Sequence, residues 1–159
     1  MAQRICLFPG TFDPITKGHT DIIDRALGLF DALIIGIGVN SSKQPMFSLE
    51  QRIAWIESIY KNEPKIKVIA YEGLTIDCCK KYNAQFILRG IRYINDFEYE
   101  KAIADMNRML APEVETVFLT CTPLYSTISS TLVRDVIRNN GNVHQFIPDA
   151  IVKDFNTNP

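Results

Sequence analysis

Short runs rich in β-branched residues alternate along the chain with longer stretches whose apolar positions recur at helical spacing. Arg4 to Phe8 reads as a short buried strand that Pro9-Gly10 ends. Ile22, Ile23, Ala26, Leu27 and Phe30 then form one helical stripe. Ala32 to Val39 is apolar or glycine throughout, the pattern of a central parallel strand covered on both faces. Ser48-Leu49-Glu50-Gln51 has the form of a capping box and opens a helix predicted to turn Leu49, Ile53, Ile56 and Tyr60 inward. A strand over Ile66 to Ala70, a helix over Thr75 to Tyr82 and a strand over Phe86 to Leu88 follow. Next come a helix over Asp96 to Met109, with Phe97, Ala102, Met106 and Met109 on one side, and a fifth strand over Thr116 to Leu119. A helix over Ser130 to Arg138, stopped by Asn140-Gly141, and a short helix over Pro148 to Phe155 complete the series. This order predicts an α/β chain: one domain over residues 1–159, a doubly wound five-stranded parallel sheet with right-handed crossovers. Sheets of that kind bind ligands beyond the carboxyl ends of their strands, where the strand order switches direction.

Composition narrows the class. The 159 residues are 47% hydrophobic and 22% charged, which excludes intrinsic disorder and provides for a core without staples. Seventeen basic and eighteen acidic residues leave a net charge of −1, so no overall field recruits nucleic acid or an anionic membrane, and neither is an expected partner. The apolar run near the N-terminus is too short for a signal peptide or a membrane span. The four cysteines lack C-x-x-C spacing, and Cys78 and Cys79 are adjacent, poor geometry for a disulfide; reduced thiols in a cytoplasmic protein are expected.

The loops after the strands carry the candidate chemistry. Pro9-Gly10-Thr11-Phe12-Asp13-Pro14-Ile15-Thr16-Lys17-Gly18-His19 is constrained by two prolines and two glycines and runs into a helix N-terminus, where free N–H groups and the dipole attract anions. Lys43 lies in the loop after the second strand, Arg89 ends the fourth strand with Arg92 following it, and Ser129-Ser130-Thr131 stands at the start of the last long helix. Taken singly, these are a capping turn, a solvated lysine, rim charges and an N-cap. No G-x-x-x-x-G-K-[ST] is present. Gly36-Ile37-Gly38 falls inside a strand and is no dinucleotide fingerprint, and His144 reads as a loop residue.

Together the loops carry a resemblance. Gly10-Thr11-Phe12-Asp13-Pro14 followed by Thr16-x-Gly18-His19 resembles the signature of the H-x-G-H nucleotidyltransferases, in the T-x-G-H form of the bacterial phosphopantetheine adenylyltransferases. Ser42-Lys43-x-Pro45-Met46-Phe47, Arg89-Gly90-Ile91-Arg92, Asp96-Phe97-Glu98-Tyr99-Glu100, Met106-Asn107-Arg108 and Ile128-Ser129-Ser130-Thr131 extend it over nearly the whole chain. The resemblance implies a Rossmann-like nucleotidyltransferase fold and transfer of AMP from ATP to the phosphate of 4′-phosphopantetheine, giving dephospho-coenzyme A and pyrophosphate. Such a reaction joins two anions and requires in-line positioning and charge stabilisation, with no general base and no covalent nucleophile.

By the same resemblance His19 is the catalytic residue and donates to the α-phosphate. Thr11, Lys43, Thr75 and Arg89 bind the acceptor. Thr11, Phe12, His19, Gly90, Ile91, Arg92, Glu100 and the run Tyr125, Ser126, Thr127, Ile128, Ser129, Ser130 and Thr131 bind ATP, with Ser129, Ser130 and Thr131 at its β- and γ-phosphates. Mg²⁺ is implied on the ATP phosphates with no protein ligand of its own, and a homohexamer is implied as the assembly. Three positions depart from the family pattern: Thr75 where Leu or Met is common, Tyr125 where Trp is common, and Gln44 in place of a second lysine. Two other functions fit a chain of this class. One is an adenylyl- or cytidylyltransferase for another phosphorylated acceptor such as nicotinamide mononucleotide; the other is a nucleotide-binding module without turnover.

Overall fold

The molecule, a computed structural model, describes residues 3–39 and 44–155. Strands β1 (Ile5–Gly10), β2 (Ala32–Gly38), β3 (Ile66–Tyr71), β4 (Phe86–Ile91) and β5 (Glu115–Thr120) pair in parallel in the order β3-β2-β1-β4-β5. Helices α1 (Lys17–Ala26), α2 (Leu49–Ile59), α3 (Thr75–Tyr82), α4 (Ile94–Leu110) and α5 (Ser130–Arg138) alternate with them. Two 3₁₀ segments, Pro123–Tyr125 and Asp149–Phe155, complete the fold; the second stands where the sequence predicts a short helix.

Side chains alternate across the pleat, so each central strand feeds two cores. Cys6, Phe8, Leu33, Ile35, Ile37 and Leu88 meet Ile22, Ile23, Trp55, Ile56 and Val133 on one face. Leu7, Ile34 and Ile87 meet Ile76, Cys78, Cys79, Ala111 and Val114 on the other. Burial on both faces is why β2 reads as an unbroken apolar run. The cysteines are free thiols, and burial is the main cause pushing the Cys79 thiol up to about 12.

Three elements differ from the sequence expectation. β4 runs three residues further, so Arg89 and Gly90 lie inside a strand. On α2 Leu49, Ile53 and Tyr60 pack half-buried against the core with the fully buried Ile56, and the inward face also takes in Trp55 and an arginine, Arg52. On α4 no residue is buried, and Ile94, Tyr99, Met106 and Met109 are exposed, so its apolar side is not part of the core.

β1 and β4 pair in register only at Cys6–Phe86 and Leu7–Ile87 and then separate. Pro9, which has no N–H for a ladder, follows that separation, and its carbonyl accepts Nη1 of Arg89 at 3.0 Å. The chain leaves β1 toward β2 and returns on its other side at β4, so their carboxyl ends flank an open crevice.

Candidate active site

A cavity of about 920 Å³ occupies this crevice. Its walls come from the β1–α1 loop, the ends of β2 and β4, the start of α3 and the N-terminus of α5.

His19, in the first turn of α1, is held from below. Its Nδ1 lies 3.0 Å from the Thr16 amide nitrogen, which donates to it, and 3.0 Å from Thr16 Oγ1. An amide N–H can only donate, so Nδ1 is the acceptor and the proton of the neutral ring resides on Nε2. Phe12 packs edge-on to the imidazole, with ring centroids 5.1 Å apart. Desolvation, then the charges of Arg92 and Arg89, lower the imidazole to about 4. At neutral pH His19 is therefore an uncharged donor beside two guanidinium groups.

The loop below it is built under strain. Phe12 adopts φ 47° with its side chain 1% exposed, a left-handed conformation costing on the order of 1 kcal/mol for a non-glycine residue. Its ring lies over Gly10, where an added Cβ would come within 2.9 Å of the ring, so the residue beneath has to be glycine. Arg52 Nη1 donates to the carbonyl of Thr11 at 2.8 Å, and Arg134 Nη1 donates to that of Asp13 at 2.7 Å. The buried Asp13 carboxylate accepts the amides of Met46 and Phe47, each at 2.9 Å, tying this loop to the segment that leads into α2.

Both arginines of the β4 end are already partnered. Arg89 donates through Nε and Nη2 to the Glu100 carboxylate, and through Nη1 to Pro9. Three of its five N–H groups are thus engaged and two remain for a ligand. Arg92 pairs with Asp96 one helical turn away at 3.0 Å. Gly90 packs under α1, with Ile22 only 3.2 Å from where a Cβ would stand.

At α5, Ser129 is the N-cap: its Oγ accepts the amide of Leu132 at 3.2 Å, leaving its O–H free to donate. The hydroxyl of Ser130 donates to the carbonyl of Pro14 at 2.8 Å, so the residue offers a ligand only its amide. On the far wall Tyr71 and Thr75 share a hydroxyl contact of 3.0 Å.

The structure brings Thr11, Phe12, His19, Thr75, Arg89, Gly90, Arg92, Ile128, Ser129 and Ser130 to one cavity lining. Ile91, Glu100, Tyr125, Ser126, Thr127 and Thr131 stand outside it. Ile91 is buried in the sheet, Glu100 holds Arg89, and the Thr131 hydroxyl accepts from Arg134 at 3.2 Å. Lys43 lies outside the described residues. Asp13 and Thr16 stand in the signature without a ligand role there, and Arg52, Tyr71 and Arg134 belong to none of the motifs. For Arg52 a signal existed: it precedes Trp55 by three residues and Ile56 by four, which puts it on their face of the helix. Among the described residues no group of three or more His, Cys, Asp or Glu is placed to hold a metal ion, and no helix is long and apolar enough to cross a membrane.

Residues 7–136 match the cytidylyltransferase-like family. A phosphopantetheine adenylyltransferase of Flavobacterium johnsoniae is 56% identical over 149 residues, 94% of this chain and 97% of that protein. Proteins of the same name from Flavobacterium psychrophilum and Bacteroides thetaiotaomicron are 55% and 48% identical, each over 94% of this chain and 98% of the relative. Among solved structures, a bifunctional NMN adenylyltransferase/ADP ribose pyrophosphatase from Francisella tularensis superposes with a TM-score of 0.71 over 92% of this chain at 21% identity. This chain spans 45% of that bifunctional protein, and the likeness is one of fold.

Proposed function

The chain belongs to the cytidylyltransferase-like family and, within it, to the phosphopantetheine adenylyltransferases, and from that membership we propose how its residues carry out the reaction. The enzyme transfers AMP from ATP to the phosphate of 4′-phosphopantetheine, a step of coenzyme A biosynthesis, giving dephospho-coenzyme A and pyrophosphate. The acceptor phosphate is already a nucleophile at neutral pH. The protein's task is to hold two anions in line and stabilise the charge that builds at the α-phosphorus.

His19 carries this reading. Its Nδ1 is occupied by the Thr16 amide, so its Nε2–H is the donor offered to an α-phosphate oxygen. A donor that stays neutral cannot transfer a proton to the attacking phosphate and quench it. Thr11 and the two unengaged N–H groups of Arg89 receive the acceptor phosphate, and Arg92, the Ser129 hydroxyl and the amides opening α5 receive the ATP phosphates. Lys43, outside the described residues, is assigned to both phosphates by its place in the family pattern alone. Tyr71 and Thr75 form the wall along the pantetheine arm. Mg²⁺ on the ATP phosphates, held through the nucleotide, would screen the charge of the leaving pyrophosphate. The protein works in the cytoplasm as a homohexamer, for which the exposed apolar side of α4 is a suitable contact surface.

His19→Ala tests the assignment. It should lower kcat by about 10²–10³ with KM for ATP changed only a few-fold, the mark of a contact made in the transition state. Unchanged kcat with a large rise in KM for ATP would mean that His19 merely binds the ground state.

A further inference from the structure

Arg52 is buried on the inward face of α2, with 4% of its surface exposed. Its Nη1 donates to the Thr11 carbonyl at 2.8 Å and its Nε to the Ser48 carbonyl at 3.3 Å. Both acceptors are uncharged, and no ion pair among the described residues involves Arg52. Glu50, exposed on the same turn, senses that charge only as the weakest influence on its carboxyl. Arg134 differs: it clamps the neighbouring carbonyl of Asp13, but the Asp13 carboxylate stands 3.8 Å away to offset it. A guanidinium withdrawn from water is costly unless opposite charge is brought to it. Arg52 forms no ion pair with such a charge among the described residues, yet it is bonded to the peptide of Thr11, which lines the cavity.

We infer that Arg52 is a positioning residue for the transfer: from beneath the loop it fixes the Thr11 peptide, and its charge strengthens binding of the acceptor's phosphate. The inference rests on the assignment of Thr11 to that phosphate. The two guanidinium clamps flank Phe12, so they also hold the left-handed turn in place. A lysine in place of Arg52 would preserve the charge, but its single ammonium could not span two carbonyls as the fork does.

The test uses 4′-phosphopantetheine and pantetheine, the same arm with and without phosphate, titrated calorimetrically into the whole protein, with kcat measured alongside. Arg52→Gln should lower the wild-type preference for the phosphorylated arm about tenfold or more. Arg52→Lys should keep that preference within about threefold and lower kcat about tenfold through the loosened loop. Arg52→Gln with the wild-type preference, or with both probes weakened equally as general loosening would do, overturns the inference. If Arg52→Gln does not fold, Arg52→Lys decides: a tenfold fall in kcat at unchanged melting temperature supports the role, and wild-type kcat overturns it. A wild-type protein that does not discriminate between the probes contradicts the acceptor assignment itself, and the role of Arg52 with it.

Discussion

His19 depends on a bond that its own side chain does not reveal. Gly18-His19 in the sequence marks a donor near a helix N-terminus, but the tautomer is set by the Thr16 amide 3.0 Å from Nδ1. Thr16 stands where the family signature has its first histidine, and the hydroxyl 3.0 Å from the same nitrogen shows what the smaller residue does there. The low proton affinity of His19 has a consequence for stability. The ring falls from an ordinary value near 6.5 to about 4, so between these pH values the unfolded chain binds more protons than the native one. The stability it contributes is complete above about pH 6.5 and is lost as pH falls toward 4. Denaturant midpoints measured from pH 4 to 7 should therefore rise more steeply in the wild type than in His19→Gln. Parallel slopes would place the imidazole in an ordinary aqueous setting. The motif residues Thr11, Asp13, His19, Arg89 and Ser129 are legible in the sequence because they belong to a spaced pattern. What Asp13 and Arg52 hold is not, because their partners are backbone groups supplied by distant segments.

At the scale of elements, periodicity located every strand and every long helix and set the limits of α3 and α5 as they are observed. Asn140, at φ 57°, takes the left-handed position that ends the α5 region, and the amide of Gly141 bonds back to Val136. β4 exceeded its apolar run because Arg89 and Gly90 continue the ladder to β5 despite their polarity and size. Of the four apolar positions grouped on α4, Ala102, Met106 and Met109 share an exposed face while Phe97 stands on another and packs against Phe118, since a stripe in sequence does not say what will cover it. α5 joins the fold to the site: it buries Val133 and presents its N-cap to the cavity. Ser129→Ala removes the cap acceptor and should cost about 1 kcal/mol of stability. It should also raise KM for ATP while leaving the acceptor's KM near wild type, as steady-state kinetics with each substrate varied would show. A stability loss with both KM values unchanged would assign Ser129 to capping alone.

At the scale of the molecule, one topological fact gathers the site. Strand order β3-β2-β1-β4-β5 sends the chain away from β1 in both directions, and the loss of pairing after Leu7–Ile87 opens the crevice into which three separate loops deliver donors. The alternation of runs along the sequence foretold that such a switch exists. The placement of the far wall, with Tyr71 against Thr75, required the folded chain. The donors assembled there include a neutral imidazole, guanidinium groups and hydroxyls, and the proposed mechanism has them bring two substrates together directly. The most direct measurement is stereochemical: turnover with ATP carrying a chiral phosphorothioate at the α-position, followed by determination of configuration in the dephospho-coenzyme A analogue. A single in-line displacement predicts inversion at phosphorus. Retention would require two displacements through a covalent adenylyl-protein and would contradict the account.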